Sequence, residues 1–229
     1  MNVELIDVMG SDLSVVNAAR VSYSKESEWD SITPAGPTPG LLKEKDEKLI
    51  KFLAEHNHWT PFGHCNLQFR IKAPIFVARQ LVKHQVGLTW NEVSRRYVQS
   101  EPELYSPESW RANPENKKQG SSEEETVDWL LINEKSVTDA VESLSSKAVA
   151  LYTELIEAGV CAEQARMVLP QSLMTEWYWT GSLYAFARVC NLRCAKDTQK
   201  ETRDIANRIS YFAKQRFPVS WKNLVGEVK

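Results

Sequence analysis

With 229 residues, 42 % of them hydrophobic and 25 % charged, the chain is long enough to bury its own core and has the make-up of an ordinary globular protein. Its 28 basic and 30 acidic residues leave a net charge of −2, which argues against a general binder of nucleic acid or anionic membrane but leaves room for a local basic pocket. No stretch approaches the ~20 apolar residues of a membrane span, and the opening MNVELIDVMGSDL lacks the basic start and apolar run of a signal peptide.

Cys65, Cys161, Cys190 and Cys194 form neither a CxxC pair nor a zinc-ribbon spacing, so reduced thiols in a cytoplasmic chain are expected. Cys190 and Cys194 sit at a spacing that suits one helix face.

In chain order, Val3–Val8 reads as a strand, and Ser11 or Asp12 can cap a helix carrying Val15 to Arg20. Pro34, Gly36, Pro37, Pro39 and Gly40 mark 24–40 as a loop. Leu42, Leu49, Ile50 and Leu53 recur at helical spacing over 41–56. Cys65, Leu67, Phe69 and Ile71 alternate with polar residues, the pattern of a half-buried strand. Pro74 suits the first turn of a following helix, which Gly87 is expected to end.

Residues 100–123 read as an extended loop. Val137, Ala140, Val141, Leu144, Ala148, Leu151, Tyr152 and Leu155 then form one apolar stripe on a long helix stopped near Gly159. Shorter helices are expected over about 162–168 and from Ser182 to Leu192, and a last one over 197–216 with Ile205, Ile209, Phe212 and Ala213 inward, ending before Pro218. No repeat appears, and the whole is expected to be an α+β protein in a single domain over 1–229.

The densest polar cluster is Arg79-Gln80-Leu81-Val82-Lys83-His84-Gln85 followed by Asn91-Glu92-Val93-Ser94-Arg95-Arg96-Tyr97. Arg79 and Lys83, and likewise Gln80 and His84, are four apart and would project from neighbouring strips of one helix face. A cationic face beside donors and acceptors suits a phosphorylated ligand, because guanidinium groups hold phosphate with two prongs. Asn91 and Glu92 could read a base or sugar. The same pattern also fits a solvated basic face beside a polar turn.

His56, His58 and His64 crowd one short stretch, but no cysteine or carboxylate is spaced to complete a metal set, so no metal is expected. Arg166 and Arg193 each fall near the end of a helix, where a lone arginine usually answers the helix dipole. With Arg188 they would form an anion site only if they converge. Trp177, Tyr178, Trp179 and Tyr184 make an aromatic patch that fits core packing or stacking on a flat heterocycle. There is no Gly-rich dinucleotide fingerprint, no P-loop and no GxSxG elbow.

These residues resemble a known family, the flavin-dependent thymidylate synthases. The resemblance is carried, in order, by AARVSY at 18–23, HWTPFGH at 58–64, KAPIFVARQ at 72–80, NEVSRRY at 91–97, ARMVLP at 165–170, the Trp179-Thr180 pair, and NLR at 191–193 with Gln199 and Glu201. It implies helices packed on a small antiparallel sheet, and a homotetramer with active sites between subunits. It implies FAD as cofactor, methylenetetrahydrofolate as one-carbon donor, NADPH as reductant and dUMP as acceptor.

Carried over by position, Gln80, Lys83, Glu92, Ser94, Arg95, Arg96, Arg166 and Arg193 would hold dUMP. Arg193 would act as the catalytic group by favouring ionisation of the uracil N3 proton. Thr60, Lys83, His84, Gln85, Glu92, Ser182, Tyr184 and Arg188 would contact FAD. The family signature is Arg-His-Arg, seven residues, then Ser. Here it is Lys83-His84-Gln85 with eight residues before Ser94, and Arg188 stands where charge lost at Gln85 and Tyr184 could be restored. Two alternatives stay open: a related flavin-dependent pyrimidine nucleotide hydroxymethylase, and a non-catalytic nucleotide- or nucleic-acid-binding module.

Overall fold

The computed structural model describes residues 1–32, 40–98, 100–114, 120–122, 125–132 and 134–226. Pro34, Gly36, Pro37 and Pro39 of the expected loop lie outside them, as do 115–119 and 123 of the second loop. The chain divides into two compact units. One comprises Met1, Lys72–Lys83 and Asn91–Trp177; the other comprises Asn2–Ile71, His84–Trp90 and Tyr178–Lys229.

The elements follow the α+β expectation. Strand β1 (Asn2–Met9) leads into α1 (Asp12–Arg20), whose N-cap is Ser11 in a capping box with Ser14. A short pair, β2 (Ser31–Ile32) and β3 (Gly40–Leu41), precedes α2 (Glu44–Glu55) and the single turn α3 (Thr60–Gly63). Then come β4 (Asn66–Pro74), α4 (Ile75–Leu81), β5 (Leu88–Glu92), the small pair β6 (Leu131–Ile132) and β7 (Lys135–Ser136), and α5 (Val137–Glu157). The chain ends through α6 (Ala162–Ala165), a 3-10 turn at Arg166–Val168, β8 (Met174–Ser182), α7 (Leu183–Arg193), α8 (Lys200–Arg216) and α9 (Pro218–Leu224).

The main sheet has the order β1-β4-β8-β5. Its antiparallel register is visible in the amide bonds: Leu183 N–H donates to the Cys65 carbonyl and Ile75 N–H to that of Leu173, while Ser182 N–H donates to Gly87 and Val93 N–H to Glu176. Four expectations need correction. Helix α4 stops at Leu81 with Val82 as its C-cap, so Gly87 (φ +77°) does not end it but forms the turn before β5. Lys83 and His84 therefore leave the helix and do not share a face with Arg79 and Gln80. Phe212 is only partly buried, and the chain past Pro218 turns into a further helix, with the proline in its first turn.

In the second unit the core is built from the inward residues of these elements. Val15, Val16, Ile50, Phe62, Leu67, Phe69, Leu183, Phe186, Ile205, Ile209 and Phe217 are all fully buried. Edge-to-face rings join Trp90 to Trp179 (5.5 Å), Trp179 to Phe186 (5.2 Å) and Phe186 to Phe69 (5.1 Å), an arrangement the ring quadrupoles favour. Two buried carboxylates pin helices together. Asp46 of α2 receives Arg20 (Nε at 3.0 Å) and the Ser27 hydroxyl. Asp12 of α1 accepts the N–H groups of Val219 and Ser220, both at 2.9 Å, satisfying the otherwise orphaned donors at the start of α9.

Close backbone approach fixes the turn before β5. A Cβ placed on Gly181 would meet the Gly87 carbonyl at 2.5 Å and the Leu88 side chain, and one on Gly87 would meet Ala185 at 3.1 Å. In the first unit, Ala73, Val77, Ala78, Leu81, Leu173 and Trp177 are buried. Helix α5 is different. Its expected apolar stripe buries Val137 and Tyr152, but Leu144 is 70 % exposed and Leu151 44 %.

Candidate active site

Each unit carries its own set of the expected site residues. In the first unit, β5 ends at Glu92 and the chain enters a turn organised by Ser94. The Ser94 carbonyl accepts the N–H groups of Tyr97 (2.9 Å) and Val98 (3.2 Å), and its hydroxyl accepts that of Arg96 (3.3 Å). This turn gives the two adjacent arginines different partners. Arg95 donates to the carbonyls of Ser100 and Glu101. Arg96 pairs with the Glu163 carboxylate and lies 5.6 Å from the centre of the Tyr97 ring.

Glu92, Arg95, Glu163, Arg166 and Thr175 line one cavity of about 560 Å³, a volume that suits a small ligand. Thr175, almost wholly buried, donates its hydroxyl to Glu92 Oε1 at 2.8 Å. On another wall, Lys72 pairs with Glu103 at 2.5 Å. The cavity thus gathers Glu92, Arg95 and Arg166 from the expected set. Gln80, half-buried on α4, and the exposed Lys83 do not line it, and neither do Ser94 and Arg96. Glu163 and Thr175 are site residues that sequence reasoning misses. Glu163 stands three residues before Arg166, one helical turn away, and that spacing is the available signal.

In the second unit the chemistry centres on His84. Arg193, the last residue of α7, donates its Nε–H to His84 Nε2 at 3.0 Å. Burial first, then the positive charges of Arg193 and Arg188, hold the imidazole below its ordinary proton affinity. Among the described residues Arg188 has no ion-pair partner and is exposed. Ser182 spends its hydroxyl on the N–H of Ala185 (3.2 Å), capping α7. Tyr184 stands 6.0 Å from the Trp59 ring, next to the exposed Thr60, while Gln85 is exposed and its carbonyl accepts the Leu88 N–H.

The histidine-rich stretch packs as rings. His56 Nδ1 bonds the Phe52 carbonyl at 2.9 Å, and Phe52, His56 and His58 lie ring against ring. Among the described residues no group of three or more His, Cys, Asp or Glu side chains is placed to hold a metal ion. Burial pushes the Cys65 thiol up to about 12 and raises Cys190 too, while Cys190 stabilises the thiolate of Cys194 by hydrogen bonding.

The chain thus joins an α+β fold to a small cavity lined by acids and bases and, elsewhere, to an arginine that donates to a half-buried imidazole. The particular family is shown by comparison: the profile of the thymidylate synthase complementing protein family matches residues 4–219, and the chain belongs to that family. It is 39 % identical to the flavin-dependent thymidylate synthase of Thermosipho africanus over 214 residues, 93 % of this chain and 86 % of that protein. It is 36 % identical to the enzyme of the same name from Thermus thermophilus, over 96 % of this chain and 73 % of that one. Among solved structures, a UMP/dUMP methylase, PolB from Streptomyces cacaoi bound to 5-Br dUMP, matches with a TM-score of 0.80 at 27 % identity, covering 99 % of this chain and 96 % of that one.

Proposed function

We propose that this chain works as a flavin-dependent thymidylate synthase, converting dUMP to dTMP with methylenetetrahydrofolate as one-carbon donor and FAD as its flavin. The observation that carries this reading is identity of 34–39 % to enzymes of that name over nearly the whole chain. Methylene transfer followed by reduction requires one hydride equivalent, which reduced FAD supplies when bound and NADPH restores.

The residues present fit an anionic flavin nucleotide. Arg188 and Arg193 both bring positive charge to bear on His84, which suits an anionic group. Thr60, Lys83, His84, Gln85, Glu92, Ser182, Tyr184 and Arg188 would hold the flavin, with Arg188 supplying charge that Gln85 does not. Gln80, Lys83, Glu92, Ser94, Arg95, Arg96 and Arg166, together with Arg193, would hold dUMP. Arg193 would stabilise negative charge developing on the uracil ring, an electrostatic role that needs no protein nucleophile.

A homotetramer is part of this proposal. The exposed Leu144 and Leu151 on α5 support it, since an apolar stripe of this kind is the usual mark of a face that another chain covers. The same assembly would complete sites between subunits.

The test is direct. Purified protein should show a flavin absorption spectrum that dUMP perturbs, should oxidise NADPH, and should release tritium from 5-labelled dUMP. Protein that retains no FAD and gains none on titration would reject the reading. A second reading is favoured by the PolB neighbour, which is described as acting on UMP as well as dUMP. Mass spectrometry of products formed from each nucleotide separates dTMP synthesis from ribonucleotide methylation, and a hydroxymethylated product would reveal the related hydroxymethylase.

A further inference from the structure

We infer that His84 is the positioning residue for Arg193: its Nε2 holds the guanidinium by Nε, so that the edge formed by the two terminal nitrogens is the one presented to a ligand. The inference rests on Arg193 being the group that faces the pyrimidine. Arg193 closes α7, where the helix no longer confines a long side chain, and Cys194 follows as the C-cap. An arginine there samples many rotamers unless something takes hold of it. The 3.0 Å bond from Nε to His84 does so, and it leaves two parallel N–H donors on the opposite edge.

The clamp is itself fixed. The turn that follows His84 is packed closely, Gly87 against Ala185 and Gly181 against the Gly87 carbonyl, which fixes the backbone that delivers the ring. To accept at Nε2 the ring must be neutral, with its proton on Nδ1. The charged groups facing it are Arg188 and Arg193 from α7, and Lys83 precedes it on its own turn. All are cations. Together with burial they oppose a second proton, so His84 gains one only below its ordinary value of 6.5. When it does, the acceptor is lost, cation faces cation, and Arg193 is released. Turnover therefore falls on the acid side, and the midpoint of that fall lies below the ordinary histidine value.

Two arms test this. Histidine-labelled protein examined by nitrogen NMR should show His84 as the Nδ1–H form, with Arg188→Ala moving its titration upward. Steady-state profiles against pH should then compare the parent enzyme with His84→Gln and His84→Phe. Glutamine offers an acceptor that does not titrate, so with FAD saturating His84→Gln should lose the acid limb, whatever the height of its plateau. Phenylalanine offers none, and His84→Phe should lose about 10²-fold in kcat with KM for dUMP changed less. An unaltered acid limb in His84→Gln, or an Nε2–H form in the parent protein, overturns the inference. A parent enzyme without thymidylate synthesis would instead defeat the functional reading, and the NMR arm would still decide whether His84 accepts from Arg193.

Discussion

Arg96 in the first unit and Arg193 in the second are held differently. In the first, Arg95 donates to the carbonyls of Ser100 and Glu101, which leave its charge in place, while Arg96 pairs with the Glu163 carboxylate, which answers it. In the second, Arg193 leans on an uncharged imidazole and Arg188 on nothing described, so their charge stays available. A guanidinium held by a neutral acceptor is oriented without being neutralised, which suits a group that must meet charge as it develops. A guanidinium held by a carboxylate is suited to a ligand that can compete with that carboxylate, such as a phosphate dianion.

The contrast predicts a graded series. The largest loss should come from Arg193→Ala, lowering kcat by about 10²–10³-fold while FAD stays bound, as read by tritium release and by the flavin spectrum. Arg96→Ala should come next, weakening dUMP binding by about 10–100-fold in calorimetric titration with kcat altered less, because it removes a charge-assisted contact to substrate. Equal effects of the two on kcat would erase the distinction between the units. The smallest effect belongs to Glu163→Gln. With its pair 48 % and 55 % exposed, this bond is screened by water and its removal should tighten dUMP by less than about fivefold. That gain should shrink as salt is added. Weaker binding in this variant would make Glu163 a support for Arg96 and not its competitor.

Much of the fold is legible in the sequence because its elements announce themselves locally. The alternation from Leu67 to Ile71 and the capping serine before α1 each depend on neighbours in sequence. Strand β8 reads in sequence as an aromatic patch, since Tyr178 lies outward among the inward Trp177 and Trp179 and obscures the period of two. The spacing of α4 is also misleading. Hydrophobic periodicity continues past Leu81, but the backbone turns at Val82, and the strip shared by Gln80 and His84 disappears with it.

The candidate site is less legible. Nothing near Arg96 in sequence points to Glu163, and nothing near Glu92 points to Thr175, because both bonds join residues far apart in the chain. Single positions such as Arg166 and Arg193 look like ordinary helix ends. Only their order among motifs that resemble one family suggests a shared task. The pairing of Arg193 with His84 needs coordinates, since it depends on where the turn after α4 delivers the ring.

The contact between Gly181 and the backbone of Gly87 has a consequence for how this enzyme can be diversified. A randomised library at codon 181 should return glycine alone among active clones, because any Cβ there collides with the Gly87 carbonyl. Lengthening or shortening the segment between Gln85 and Asn91 would have to be matched by change on the facing strand. Lineages that alter that spacing are thus expected to carry paired substitutions, a signature that could be sought in any collection of natural variants.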